Sequence, residues 1–248
     1  MNAFFALWGR EMAAYFRTSI AYVAGTFFLA IAGFSLWILA THLAQGATEG
    51  DLVRNLFGSY GYWLAMLVAT PLLTMRLFAE ERRTGTLEAL LTAPVTETAA
   101  VLAKFAGAYA TFLLLWAPTL AYATLLRRCG AHLPPLDWGP VAAGYLGTAL
   151  VGAFFLAVGL LCSLLTRHQA VAAMTCLAVL GLLLSGSLLP FYAHTEPLRE
   201  LVRGVSAPLH VQDFAAGIVD TRTVVWYLSA TVLLLFASIR ILEARRLR

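Results

Sequence analysis

The chain has 248 residues, of which 60% are hydrophobic and only 12% charged, about half of the roughly 25% charged residues of an ordinary soluble domain. That composition excludes a soluble core, and its apolar blocks, long enough to cross a hydrocarbon layer of roughly 30 Å as helices of about 20 residues, exclude alternating barrel strands. The formal net charge of +4 does not point to nucleic acid, because the arginines stand singly or in pairs at the ends of apolar blocks, where they act as topology signals.

The first element lies within residues 1–18. Phe4, Phe5, Trp8, Met12, Tyr15 and Phe16 fall within about a third of a helical wheel at about 100° per residue, with Arg10 and Arg17 on the far side. This predicts an interfacial helix whose aromatics reach the acyl boundary and whose arginines reach inner-leaflet phosphates, before the chain elbows into its first span. No small-residue cleavage site follows the first apolar block, so it is read as a retained span and not as a signal peptide.

Six spans are expected, at about 20–43, 60–78, 105–126, 141–165, 170–189 and 223–242. An even number places both termini on one side. With the N-terminus inside, Arg10, Arg17, Arg76, Arg82, Arg83, Lys104, Arg167, Arg240, Arg245, Arg246 and Arg248 lie at the inner face. Only Arg54, Arg127, Arg128, Arg199, Arg203 and Arg222 lie outside. The positive-inside rule therefore puts both ends in the cytoplasm. Segment 79–98 and the turn at 166–169 then face inward, and loops 44–59, 127–140 and 190–222 face outward. In the last of these, 197–203 and 208–217 each open with proline, which suits short helices lying on the outer surface; an irregular loop fits the same residues. With no internal repeat, low-complexity tract or linker, the expected fold is all-α, a single polytopic membrane domain over residues 1–248.

The spans lack the chemistry of an ion-coupled carrier, which needs acids, histidines or arginines near the bilayer midplane. Arg76, Lys104 and Arg240 sit near inner span ends, where long side chains snorkel toward water. His42, His132, His194 and His210 are scattered at the outer side, and Cys129, Cys162 and Cys176 have neither metal-ligand nor disulfide spacing. No metal, cofactor or catalytic residue is expected, since neither GxSxG nor HExxH occurs. A phosphate-binding loop needs GxxxxGK followed by Ser or Thr, and the single lysine, Lys104, stands in VLAKFAG. The chain is expected to be non-enzymatic, with any energy supplied by a partner.

The polar run RLFAEERRTGTLEALLTAPVT, residues 76–96, interrupts this apolar pattern. Arg82 and Arg83 mark the inner boundary, Gly85 offers a sharp change of backbone direction, and Thr86 is placed as a helix N-cap. Glu88 falls in the first turn, where a carboxylate contributes about 0.3 to 1 kcal/mol against the helix dipole. Leu87, Leu90 and Leu91 form one apolar ridge, and Pro94 discourages continuation. A two-turn helix of this kind is too short to stand alone and needs a groove, in its own domain or in another protein.

The stretch PLLTMRLFAEERRTGTLEALLTAPVTETAAVLAKFAGAY, residues 71–109, resembles the permeases of type 2 ABC transporters (the ABC-2 membrane family), especially the gliding-motility and nitrous-oxide-accessory type. Residues 206–248 are similar to that family's outer loop and last span. The resemblance implies a permease in the cytoplasmic (inner) membrane, paired with an identical or homologous permease and served by a dimer of separate ABC ATPase subunits. It also implies that Arg82, Arg83, Gly85, Thr86, Leu87, Glu88, Leu90, Leu91 and Pro94 form the coupling helix that docks on the ATPase. Two functions suit this architecture: transport of a substrate, or transmission of ATPase motion to periplasmic or further membrane subunits.

Overall fold

The computed structural model describes residues 3–44, 52–86, 95–122, 124, 138–186 and 204–246, and among them it is helical without strands. Ten α-helices follow in order: α1 (Ala3–Arg17), α2 (Ser19–Ala44), α3 (Leu52–Gly58), α4 (Tyr60–Thr74) and α5 (Ala79–Thr84). They continue as α6 (Glu97–Trp116), α7 (Trp138–Leu165), α8 (Gln169–Ser185), α9 (Ala207–Ala215) and α10 (Thr221–Arg246).

Local chemistry explains where several of them begin and end. The Ser59 hydroxyl accepts from the Tyr62 amide at 3.2 Å and caps α4. Thr96 caps α6 in the same way through the Ala99 amide at 3.3 Å, so this helix starts at Glu97, earlier than the expected boundary at 105. Its first turns precede the apolar run, which is why hydropathy alone misplaces the start. α4 ends at Thr74, just past Pro71, instead of running on to 78, and a turn leads into α5. Helix α3 lies in a segment that the sequence pattern treats as loop.

Five stretches are long and apolar enough to cross a membrane: Tyr22–Thr41, Tyr60–Thr84, Glu97–Tyr122, Trp138–Leu165 and Thr221–Arg245. The chain is a multi-pass membrane protein. α8 is apolar but has 17 residues, and the rest of the expected span at 170–189 reaches past the described residues.

The core is built around α7, which contacts α4, α6, α8, α9 and α10. Rings and hydroxyls fill notches left by its glycines: Phe57 faces Gly144, Phe214 faces Gly147, Phe112 faces Gly152 and Thr74 faces Gly159. Without a solvent-driven hydrophobic force in lipid, such close packing is what holds transmembrane helices together. α2 contributes little to this core. Its Phe27, Phe34 and Trp37 are exposed, as lipid-facing rings are.

The segment at 208–217 departs from the expectation of a helix on the outer surface. α9 is folded inward, with Val211, Phe214 and Ala215 buried against the rest of the bundle and buried His210 Nδ1 lying 3.1 Å from the Tyr227 hydroxyl. Five apolar residues in two turns find more favourable burial in the bundle than at an interface. The companion segment at 197–203 lies outside the described residues.

A Cβ at Gly152 would come within 2.3 Å of Phe112, itself fully buried, whereas one at Gly181 on α8 meets nothing within 4 Å. Gly152→Leu is therefore expected to cost at least the roughly 1 to 3 kcal/mol of an overpacked core and to lower the heat resistance of the detergent-solubilised chain. Gly181→Leu should leave it unchanged. Size-exclusion profiles after graded heating distinguish the two; equal profiles would show that the α7 notches do not fix the packing.

Candidate functional site

The polar run 76–86 meets the rest of the protein at the arginine-rich end of the bundle. Glu81 on α5 accepts from the Lys104 ammonium of α6 at 2.8 Å. The same ammonium donates to Glu11 of α1 at 2.9 Å. Lys104 is thus a bridge between three helices, with its side chain only 4% exposed. The ring of Phe78, 5.2 Å from Nζ, presents its face to the charge. Arg10 adds contacts to Glu11 and Glu81 at 3.2 and 3.3 Å, but at 54% exposure these are screened and weak.

This overturns the snorkelling expectation for Lys104: its ammonium turns into the protein, because two carboxylates stand within hydrogen-bond reach. Arg76 likewise does not snorkel. It is buried, donates to the Thr18 hydroxyl at 2.6 Å, and stacks over the Tyr15 ring at 4.4 Å. Only Arg240 behaves as expected, being exposed and paired with Glu243 at 2.8 Å. Tyr15 in turn donates to the Leu73 carbonyl. Burial raises its phenol well above the ordinary tyrosine value, so it stays protonated and keeps donating.

The residue after Glu81 points elsewhere. Arg82 donates from Nη1 to the carbonyls of Leu164 and Thr166, both at 3.0 Å, capping the C-terminal end of α7. Ser163 of α7 completes the attachment: its hydroxyl accepts from the amides of Phe78 and Ala79 at 3.1 Å and donates to the Met75 carbonyl at 3.2 Å. The break between α4 and α5 is therefore pinned to α7, while α5 is ion-paired to α1 and α6.

Beyond this anchor the chain changes character. Gly85 closes α5 in the left-handed region at φ 74°, the conformation that glycine adopts without a Cβ penalty. The sharp turn expected there is present. Arg83, Gly85 and Thr86 are exposed, and the Thr86 hydroxyl pairs with that of Thr84 at 2.9 Å. Leu87, Glu88, Leu90, Leu91 and Pro94 lie outside the described residues, as does the helix that Thr86 was expected to cap. Of the aromatic face expected on α1, Tyr15 is buried in the protein, while Phe5 and Phe16 remain exposed beside Arg10 and Arg17. The face is split because α1 packs along α6, so that its buried arc is rotated toward Glu11.

Residues 39–206, about two thirds of the chain, match the family described as ABC-2 family transporter protein. The chain belongs to the ABC-2 transporter family. No curated protein matches the sequence at a significant level. The ABC-2 match spans Glu81 and Lys104 but not Glu11, so the family region contributes two members of the ion cluster and the N-terminal helix supplies the third. Membership implies pairing with an ABC ATPase subunit and dimerisation of the membrane chain.

Sequence reasoning missed Glu11 and Glu81 as partners of Lys104. A signal existed: the single lysine of the chain lies in an otherwise apolar helix, and only a few acids are assigned to the same side. Lys104→Met would leave Glu11 and Glu81 facing each other without their buried cation. The expected cost is about 3 to 5 kcal/mol, read as a lower melting temperature of the solubilised ABC-2 chain. Replacing the whole cluster, with Glu11→Gln and Glu81→Gln added, should restore most of the loss. A single variant as stable as wild type would show that the cluster holds nothing together.

Proposed function

We propose that this chain is the membrane-spanning permease subunit of an ATP-driven ABC-2 transporter, carrying a substrate across the inner membrane with energy from a separate ATPase. The observation that carries this reading is the double anchoring of α5 through Glu81 and Arg82, immediately before the polar segment 83–94. A push delivered to that segment by a closing ATPase dimer reaches α1, α6 and α7 together, because α5 is bonded to all three. The αL turn at Gly85 sets the docking segment at an angle to its anchor.

In this reading the work is divided within the run. Arg82 belongs to the anchor, since its guanidinium faces the α7 carbonyls. Docking falls to Arg83, Gly85 and Thr86, with Leu87, Glu88, Leu90, Leu91 and Pro94 forming the coupling helix. The chain has six spans, α8 with the residues beyond it supplying the sixth, in a single membrane domain with both termini cytoplasmic. The exposed Phe5 and Phe16 of α1 support an interfacial setting for that helix. ATP hydrolysis resides wholly in the partner, as the chain carries no phosphate-binding loop.

If the leucine ridge fills a groove on the ATPase, truncating Leu90 and Leu91 together to alanine removes several kcal/mol of contact, as each buried leucine contributes roughly 1.5 to 3. Alanine preserves helix propensity, so membrane insertion should survive. The measurement is ATPase co-purified per unit of membrane-inserted chain, and it should fall sharply while the chain alone shows no ATP turnover. Wild-type recovery of the ATPase by the double variant would remove the docking assignment.

A further inference from the structure

Three arginines from three separate elements converge where α7 ends and α8 begins. Arg82 reaches in from α5 to the carbonyls of Leu164 and Thr166. Arg167 is exposed in the turn itself. Arg245, in the last turn of α10, lies within electrostatic range of both. Among the described residues none of the three forms an ion pair: Glu81 is engaged by Lys104 and Arg10, and Glu243 by Arg240.

The helix ends do not neutralise this charge. The C-terminus of α7 carries about half a negative charge and the N-terminus of α8 about half a positive one, so they cancel, and the C-terminus of α10 offsets only about half a charge more. At least two positive charges remain uncompensated. His168 at the α8 N-cap makes no side-chain capping bond, so the first amides of α8 also lack a side-chain acceptor. Beside the cluster stands an apolar wall: Leu165, Val171 and Met174 are 55%, 45% and 72% exposed on membrane-embedded helices.

A cationic patch at the foot of a lipid-facing apolar wall matches one ligand chemistry, an anionic headgroup with an acyl chain attached. We propose that Arg82, Arg167 and Arg245 bind the phosphate of an acidic phospholipid from the leaflet on the arginine-rich side, with its chain lying along Leu165, Val171 and Met174. An acidic protein surface would satisfy the arginines but would leave the wall without a role. The site is independent of what the transporter carries, and Arg167 and Arg245 take no part in anchoring α5.

The test uses the full-length chain in mild detergent, with native mass spectrometry after equilibration with phosphatidylglycerol or phosphatidylcholine. Wild type should retain phosphatidylglycerol over phosphatidylcholine by on the order of tenfold. The double variant Arg167→Gln, Arg245→Gln should lose that preference, and the charge-conserving Arg167→Lys, Arg245→Lys should keep most of it. Arg222→Gln, at the opposite end of α10, should match wild type. The proposal is overturned if the double glutamine variant keeps the preference, or if inorganic phosphate at millimolar concentration removes it in wild type, which would indicate a free-anion site. It is equally overturned if that variant keeps its lipid preference but loses the ATPase, making the patch a protein-docking face.

Discussion

The Lys104 ammonium sits where water scarcely reaches it, and an isolated charge there would lose its hydration without compensation. Two carboxylates from different helices supply that compensation, and the helices that carry them are thereby fixed to α6. Such a pair is weak evidence of stability, because a well-packed apolar cluster of the same shape can do as well. What it adds is selectivity of arrangement: α1 and α5 satisfy Lys104 only in the observed register. The neighbouring contacts depend on the same placement, since Arg76 meets Thr18 and Tyr15 meets Leu73 only when α1 lies along the inner end of α4.

The two ends of the bundle are held by different physics. At the arginine-rich end, directional links join α1, α4, α5, α6 and α7 through Lys104, Arg82, Ser163 and Tyr15. Toward the other end the packing is mainly shape: Phe57 and Phe214 fill glycine notches of α7, and His210 meets Tyr227 in the fold of α9 over the bundle. Hydrogen-bonded links keep a defined geometry under load, whereas knob-and-notch contacts permit small sliding. That contrast fits a protein whose energy input arrives at one end. α2, which exposes much of its surface, is the span least constrained by the others.

Helix type and approximate span positions were legible in the sequence because a bilayer demands long apolar runs, and hydropathy reports them directly. Boundaries were less so. α6 begins at a Thr96 cap that hydropathy cannot see, and α4 stops at Thr74 because the following turn is held by Ser163, a residue far along the chain. Burial of α9 and pairing of Lys104 were invisible for the same reason: each depends on which helices become neighbours, and amphipathic periodicity says nothing about partner choice. Within the docking run, the turn at Gly85 followed from glycine chemistry, but the inward course of Arg82 did not, as a boundary arginine and a helix-capping arginine read alike in one dimension.

If the ion cluster makes α1 and α5 one body, force applied at the polar segment moves them together. The direct measurement is the distance between spin labels at Gly9 and Arg83, exposed positions on α1 and α5, in the permease–ATPase complex. Pulsed electron resonance would compare nucleotide-free and ATP-bound states on a background with Cys129, Cys162 and Cys176 replaced by alanine. The account expects one narrow distance distribution that is the same in both states, and a broadened one when Glu81→Gln is introduced. A Gly9–Arg83 distance that shifts on ATP binding in the otherwise unaltered protein would contradict it.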